Sequence, residues 1–284
     1  SRDWSSDVCS SDLPLITING SLSTFTTCSG VASATQTVTV EGTNLGANVV
    51  LTAPTGYELS TNATSYSNTV TLTQSGGTIA TTSIYVRLTS AAINGASGTI
   101  SVTSTNATTK TFTTGTAVVN AIPSITLGLT SNVSTSATSF NLPYSATTGS
   151  PNQYSITTGA TALTGFSAIT NGSLTTSPIS VIIPASAANT YNFNLTVKNS
   201  ATGCESAPVA FTQTITQPTI TTSGTLSAFT TCSGIASSTQ TVTISGVNLT
   251  NNIALTAPTG YELSTNASSY SNTITFNISL YYPM

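Results

Sequence analysis

The sequence repeats itself at a fixed offset of 204 residues, and this feature constrains the fold more than any other. When residues 14–71 are aligned with residues 218–275 without a gap, 42 of the 58 positions are identical. The motif FTTCSG at Phe25–Gly30 recurs at Phe229–Gly234, and the longer motif LTAPTGYELSTNA recurs at the same offset. Self-similarity of this kind indicates structural modules in tandem. The sequence therefore predicts three modules, at 14–121, 122–217 and 218–284.

Apolar residues recur at every second position within the modules, as they do in strands that bury one face. In the first module such segments lie at 36–42, 48–54, 68–74, 82–89, 98–104 and 110–118. QSGGT at 74–78 is typical of a tight turn. About seven short strands per module predict an all-β fold of tandem Ig-like β-sandwiches. The third module departs from the first after Thr275, so we expect it to be truncated and to leave Val242, Ile244 and Leu255 open to water.

Residues 1–13 differ from the rest of the chain, because they hold its only Trp and three of its 7 acidic residues. Asp3–Leu13, DWSSDVCSSDL, resembles the translation of a common sequencing-adapter oligonucleotide. We therefore treat 1–13 as an artefact and not as a domain. We also expect the chain to be a piece of a longer protein, whose export signal is not included.

Charged residues make up 4% of the chain, against roughly 25% in typical soluble domains. After residue 13 the cations are Arg87, Lys110 and Lys198. Because nucleic-acid binding depends on many Lys and Arg contacts to phosphate, we predict no nucleic-acid partner. There is no run of 18 apolar residues, so we predict no membrane insertion in this segment.

The residues that carry most enzyme chemistry are missing from the sequence. The chain has no His, and residues 14–284 have no Asp. Glu58 and Glu262 occupy one repeated position, and Glu41 has Ser245 as its counterpart. We interpret Glu58 and Glu262 as solvated carboxylates at strand ends. The sequence thus predicts no catalytic residue, no metal site and no cofactor, and a protein that is not an enzyme.

Three cysteines follow the first 13 residues: Cys28, Cys204 and Cys232. Cys28 and Cys232 are the same repeat position. The segment 207–215 carries the chain about 30 Å from Cys204 at ~3.3 Å per residue, and Cys232 lies further on. Cys28 belongs to a different module. We therefore predict that no disulfide forms.

Tyrosines are the remaining candidates for binding. Tyr57 and Tyr66 recur as Tyr261 and Tyr270. If their rings are exposed, they can stack on sugars, and the modules would bind carbohydrate. The other interpretation, which we favour, is that these rings pack at the bases of loops and that Tyr85 lies in the core.

The repeated modules, with TVTVEGTNL, LTAPTGYELS and SIYVRL, resemble Ig-like repeats of large exported surface proteins. Those proteins belong to gram-negative bacteria with type IX secretion and gliding motility. The middle module, with LPYSATTGSPNQYSI, IPASAANTYNFNLTVKN and TGCES, is similar to PKD-like Ig modules. In that family the TGCES cysteine often has a partner near the start of its own module, but residues 131–139 contain no Cys here.

The resemblance implies a structural or adhesive segment, such as a stalk or spacer, of a secreted or cell-surface bacterial protein. Its location would be extracellular or at the cell surface. Its partner would be an extracellular ligand, either a glycan or a protein. Stacked sandwiches would hold a terminal domain away from the cell.

Overall fold

The structure is a computed structural model that describes residues 13–249 and 251–277. Residues 1–12 of the adapter-like segment 1–13, and residues 278–284 of the third module, lie outside the described residues. The described residues form 23 strands and no helix. They divide into two compact units.

Unit 1 contains the described residues 13–124, 148–150 and 199–205. Its strands are β1 (Leu15–Asn19), β2 (Thr26–Cys28), β3 (Gln36–Thr43), β4 (Val49–Thr52), β5 (Tyr57–Ser60), β6 (Thr69–Leu72), β7 (Ile79–Leu88), β8 (Thr99–Thr103), β9 (Lys110–Thr113) and β10 (Val118–Asn120). Two four-stranded antiparallel sheets have the orders β1–β3–β7–β5 and β6–β4–β8–β9. β2 and β10 form a short parallel pair.

The core of unit 1 is built from alternate residues of its strands. On β7, Ile84, Val86 and Leu88 are buried, while Tyr85 and Arg87 between them face outward and are half-buried. The other strands contribute buried side chains to the same cluster. The predicted alternation is confirmed. The prediction that Tyr85 lies in the core is wrong, because Tyr85 lies between buried positions and its side chain points to the opposite face of the sheet.

The turn between β6 and β7 matches its prediction. Ser75 and Thr78 exchange both backbone hydrogen bonds, with N···O distances of 2.9 and 3.1 Å. Gly76 and Gly77 between them both have positive φ, at 55° and 79°. Two successive positive φ angles are the signature of the tight turns that suit twisted strands, and glycine adopts them without strain.

Unit 2 contains the described residues 125–147, 151–198 and 206–277, residue 250 excepted. The first strands that lie wholly or mostly within it are β11 (Ser124–Leu127), β12 (Val133–Ser134), β13 (Ser139–Leu142), β14 (Tyr144–Thr148), β15 (Gln153–Thr158), β16 (Ile169–Ser173), β17 (Ile179–Ile182), β18 (Asn189–Lys198) and β19 (Val209–Thr216). Five of these strands form one sheet with the order β12–β19–β18–β15–β16. The other four form two two-stranded sheets, β13–β17 and β11–β14.

Aromatic rings fill the centre of this second sandwich. Phe193 of β18 is buried, and its ring centroid lies 5.3 Å from that of Phe211 and 5.9 Å from that of Phe140. Phe140 comes from the β13–β17 pair, whereas Phe193 and Phe211 come from the five-stranded sheet. Side chains from two layers therefore meet in one core, and the predicted all-β fold of Ig-like β-sandwiches is confirmed.

The third repeat forms two antiparallel strand pairs in its described residues. They are β20 (Thr219–Ser223) with β21 (Thr243–Val247), and β22 (Ile253–Thr256) with β23 (Thr273–Phe276). Val242 is 39% exposed, while its counterpart Val38 is 1% exposed. Ile244 and Leu255 are also more open than their buried counterparts. In the first copy β3 lies between β1 and β7, whereas β21 pairs only with β20 among the described strands. The expected exposure is confirmed.

Candidate functional site

A disulfide joins Cys28 to Cys204, with their Cα atoms 5.7 Å apart and a separation of 176 positions in sequence. Both residues belong to unit 1. The prediction that no disulfide forms is therefore wrong. Cys232 is free and exposed.

The error lies in the assumption that Cys204 is remote from Cys28. Loop 199–205 is part of the connection from β18 to β19, and β19 leads the chain away from this loop toward the third repeat. Loop 199–205 therefore lies at the end of the sheet where β19 begins, opposite the end from which the chain continues into the third repeat. That end is also where the chain enters at Ser124, and accordingly loop 199–205 and residues 148–150 belong to unit 1.

Loop 199–205 has its own network of hydrogen bonds. The Asn199 side-chain oxygen accepts from the backbone N–H groups of Ala201 (3.0 Å) and Thr202 (3.3 Å). The Gly203 N–H donates to the Asn199 carbonyl (2.8 Å), and the Asn199 N–H donates to the Cys204 carbonyl (2.9 Å). Gly203 has a φ of +76°, which glycine tolerates. These contacts hold Cys204 in one geometry, with its side chain buried.

The loop is also anchored to a neighbouring turn of unit 1. The Asn199 amide donates to the Gly149 carbonyl (3.1 Å). Gly149 has a φ of +68°, and a Cβ at this position would lie 2.8 Å from Cα of Pro123. A larger residue would collide with backbone here, so the close approach of this turn to Pro123 depends on glycine.

Cys28 lies at the end of β2, immediately before a tight turn. The Val31 N–H donates to the Cys28 carbonyl (3.0 Å), and the Thr27 hydroxyl donates to the Val31 carbonyl (2.8 Å). The Ser29 N–H donates to the carbonyl of Asn120 on β10 (2.8 Å). The cystine thus connects two loops whose backbones are each held independently.

Tyr57, the first of the tyrosine candidates, is part of the core of unit 1. Its side chain is 1% exposed, and its hydroxyl oxygen lies 3.1 Å from each of the carbonyl oxygens of Ala96 and Gly115, which share its one proton as acceptors. Its ring meets the Phe25 ring edge to face, with centroids 5.6 Å apart. The interpretation of Tyr57 as a packed residue is confirmed, and the ring offers no face to a ligand.

Tyr66 is covered by Arg87. The guanidinium carbon lies 3.7 Å from the ring centroid, and Arg87 Nε donates to Glu58 Oε1 at 2.7 Å. Glu58 and Arg87 are direct cross-strand neighbours on β5 and β7. Glu58 is thus a paired residue within a strand, and its interpretation as a solvated strand-end carboxylate is wrong. The cluster fastens the loop that carries Tyr66 onto the outer face of the sheet.

Tyr261 and Tyr270 of the third repeat are 49% and 42% exposed. The Tyr261 ring keeps the edge-to-face contact with Phe229, at a centroid distance of 5.6 Å. The Tyr270 hydroxyl donates to the Ala267 carbonyl (3.3 Å). Val242 of the same repeat is also exposed, whereas its counterpart in the first copy, Val38, is buried.

The described residues contain no group of three or more His, Cys, Asp or Glu side chains that could hold a metal ion. A depression of about 460 Å³ in unit 1 is lined mainly by Thr and Ser side chains together with Leu72, Ile79 and Ala80. Within the part of the chain that the structure describes, no helix has the length and apolarity to span a membrane.

No protein-family profile matches the chain, and no curated protein matches it either. Among solved structures, the titin domains Z1Z2 in complex with telethonin are 13% identical, with a TM-score of 0.25 over 71% of this chain and 95% of that chain. The adhesin domain of Epf from Streptococcus pyogenes is 11% identical, with a TM-score of 0.25 over 65% and 77% of the two chains. Tandem Ig repeats of Dlar are 12% identical, with a TM-score of 0.24 over 72% and 99%. Similarity at this level identifies no ligand and no task.

Proposed function

We propose that the chain is a structural or adhesive spacer in which modules 14–121, 122–217 and 218–284 follow one another, in a secreted or cell-surface bacterial protein. The observation that carries this proposal is the Cys28–Cys204 disulfide. The PKD-like character of the middle module and the link to type IX secretion come from sequence resemblance and belong to the proposal. We further propose that the protein is not an enzyme.

The disulfide supports a location outside the reducing interior of the cell. Structural cystines persist in oxidising compartments, such as the periplasm, the cell surface and the extracellular medium. Cys204 is 1% exposed and Cys28 is half-buried, so the bond is part of the packed structure and is not a surface thiol pair. A structural cystine therefore supports an extracellular or cell-surface placement.

The position of the disulfide suits a chain that carries tension. A force applied to residues 13 and 277 passes from Cys28 to Cys204 through the bond, which spans 176 positions of sequence, and the intervening segment 29–203 bears no load. If unfolded, that segment would extend by about 600 Å at ~3.3–3.6 Å per residue. The cross-link thus keeps the length of the spacer nearly constant after local unfolding.

Single-molecule force spectroscopy on the full chain, held at its two ends, tests this role. In oxidising buffer we expect discrete unfolding events that never release the segment 29–203. With a reductant in the buffer we expect about 600 Å of additional extension. Cys232→Ser is the matched control, because it removes a thiol and leaves the cystine intact. A chain that extends equally with and without reductant would overturn the mechanical role.

Carbohydrate binding, the alternative from the sequence, is not favoured by the ring positions. Tyr57 is buried and Tyr66 is covered by a guanidinium group. Tyr261 and Tyr270 are open together with apolar residues of their repeat. Their exposure therefore follows from unpaired strands and needs no ligand to explain it. The extracellular partner of the spacer, a protein or a glycan, is proposed only as a class.

A further inference from the structure

Cys232 is the repeat counterpart of Cys28, at the shared offset of 204 residues. Its thiol is free and exposed. The two cysteines lie in the same motif, FTTCSG, and differ in that one is bonded to a loop and the other is not. The first copy therefore shows that a cysteine at this repeat position can form a disulfide with a cysteine in a loop.

The turn around Cys232 reproduces the turn around Cys28. The Ile235 N–H donates to the Cys232 carbonyl (3.1 Å), and the Thr231 hydroxyl donates to the Ile235 carbonyl (2.6 Å). Gly234 has a φ of +80°, against +79° for Gly30. The turn thus keeps its shape in the absence of a bonded loop.

The flanking clamp is preserved as well. The side-chain oxygen of Gln240 accepts from the Ser227 N–H (2.6 Å), and its amide nitrogen donates to the Ser227 carbonyl (3.0 Å). Gln36 and Ser23 make the same two contacts in the first copy, at 2.7 and 3.2 Å. The segment that presents Cys232 is therefore preorganised in the way that the segment presenting Cys28 is.

We propose that Cys232 is a covalent docking site for a second cysteine loop of the TGCES type, equivalent to loop 199–205. The ligand is defined by its chemistry: a free thiol that follows a glycine of positive φ, in a loop closed by an Asn side chain as at Asn199. Such a bond would repeat the Cys28–Cys204 cross-link along an array of these modules. The inference deepens the proposed spacer function and rests on it.

The bond can form by thiol–disulfide exchange with a small-molecule disulfide such as oxidised glutathione. The Cys232 thiolate attacks one glutathione sulfur and releases one glutathione thiolate. The thiolate of the incoming loop then attacks Cys232 Sγ and releases the second. Two cysteine thiols are oxidised to one disulfide, and one oxidised glutathione is reduced to two thiols.

The remaining cysteine of the chain, Cys9, lies in the segment 1–13 and is replaced by Ser (Cys9→Ser), so that Cys232 is the thiol followed. The test uses this full chain and a synthetic peptide of residues 199–207, NSATGCESA. Protein and peptide equilibrate in a glutathione redox buffer, and intact-mass spectrometry measures the ratio of peptide adduct to glutathione adduct. We expect this ratio to be at least about tenfold higher than with a scrambled peptide, which corresponds to ~1.4 kcal/mol of recognition.

Two variants separate recognition from thiol reactivity. The peptide with Gly203→Ala should lose most of the preference, because the loop needs positive φ there. The protein with Thr231→Val should lose it too, while its glutathione adduct stays unchanged. Equal ratios for native and scrambled peptides would overturn the proposal, as would Cys232–Cys232 dimers in place of the peptide adduct. Either failure leaves the force measurement on Cys28–Cys204 unaffected, so the two proposals fail separately.

Discussion

Removal of the cystine with Cys28→Ser and Cys204→Ser should destabilise unit 1 strongly. The bond closes a loop of 176 residues. The chain-entropy relation for a loop of this size gives about 5 kcal/mol at 25 °C, from a constant part of ~0.6 kcal/mol and a length-dependent part of ~4.6 kcal/mol. Measured effects of native disulfides are commonly 2–5 kcal/mol, so we expect a loss of about 3–5 kcal/mol.

Urea unfolding followed by circular dichroism would measure the loss, and hydrogen exchange would assign it to unit 1. Peptides covering β2 and β10 report on the cystine end of that unit. If the bond acts mainly on the unfolded chain, the internal hydrogen bonds of loop 199–205 should persist in the double variant under native conditions.

Cys232→Ser is the matched control. It changes the same motif at an exposed, unbonded position, so we expect a change within about 0.5 kcal/mol. A loss below about 1 kcal/mol in the double variant, or a loss equal to that of the control, would refute the assignment of a stabilising cross-link.

Other perturbations have expected outcomes of their own. Val38→Ala should lower the free energy of unfolding by about 2–3 kcal/mol, because it removes two buried methyl groups and leaves a cavity. Val242→Ala, at the exposed counterpart, should lower it by less than about 1 kcal/mol. Equal losses in urea unfolding would contradict the difference in burial. Arg87→Met should lower the free energy of unfolding by about 1–2 kcal/mol and increase hydrogen exchange near Tyr66. Arg87→Lys should recover only part of this stability, because an ammonium group does not stack on a ring as a guanidinium group does. Burial raises the pKa of Tyr154, so the folded state retains this proton at a pH where the unfolded chain loses it. Stability from this group is present below pH ~10 and declines above it, and Tyr154→Phe should flatten that decline in pH-dependent unfolding.

Alternation predicts the strands in which apolar residues occupy every second position, such as β3, β4, β7 and β8. Strand β5 (Tyr57–Ser60) was missed, because it has only two apolar residues and follows directly on a turn. Its pairing with β7 is what brings Glu58 opposite Arg87. A register between residues 29 positions apart has no local signature, so the Tyr66–Arg87–Glu58 cluster could not be derived from spacing.

The cystine shows a different limit of sequence reasoning. Strand length predicts that β19 leads away from Cys204, but it does not predict which residues lie at the end of the sandwich where β19 begins. The hydrogen bond from Asn199 to Gly149 and the close approach of Gly149 to Pro123 place this loop beside the residues where the chain enters the sandwich. The TGCES motif in the connection between the last two long strands of its sandwich therefore held a usable signal for Cys28.

The two repeat copies separate what a short segment encodes from what distant strands provide. In both copies an Asn side chain, Asn62 or Asn266, accepts from the backbone N–H groups two and three residues ahead, at 2.9–3.0 Å. The turns at Cys28 and Cys232 likewise agree, although the core positions of the two copies differ greatly in burial. Hydrogen bonds that span five residues or fewer thus persist without the neighbouring strands, whereas burial does not. The cysteine turn is held by hydrogen bonds of this short range, so it can present Cys232 to a loop before the sandwich around it is complete.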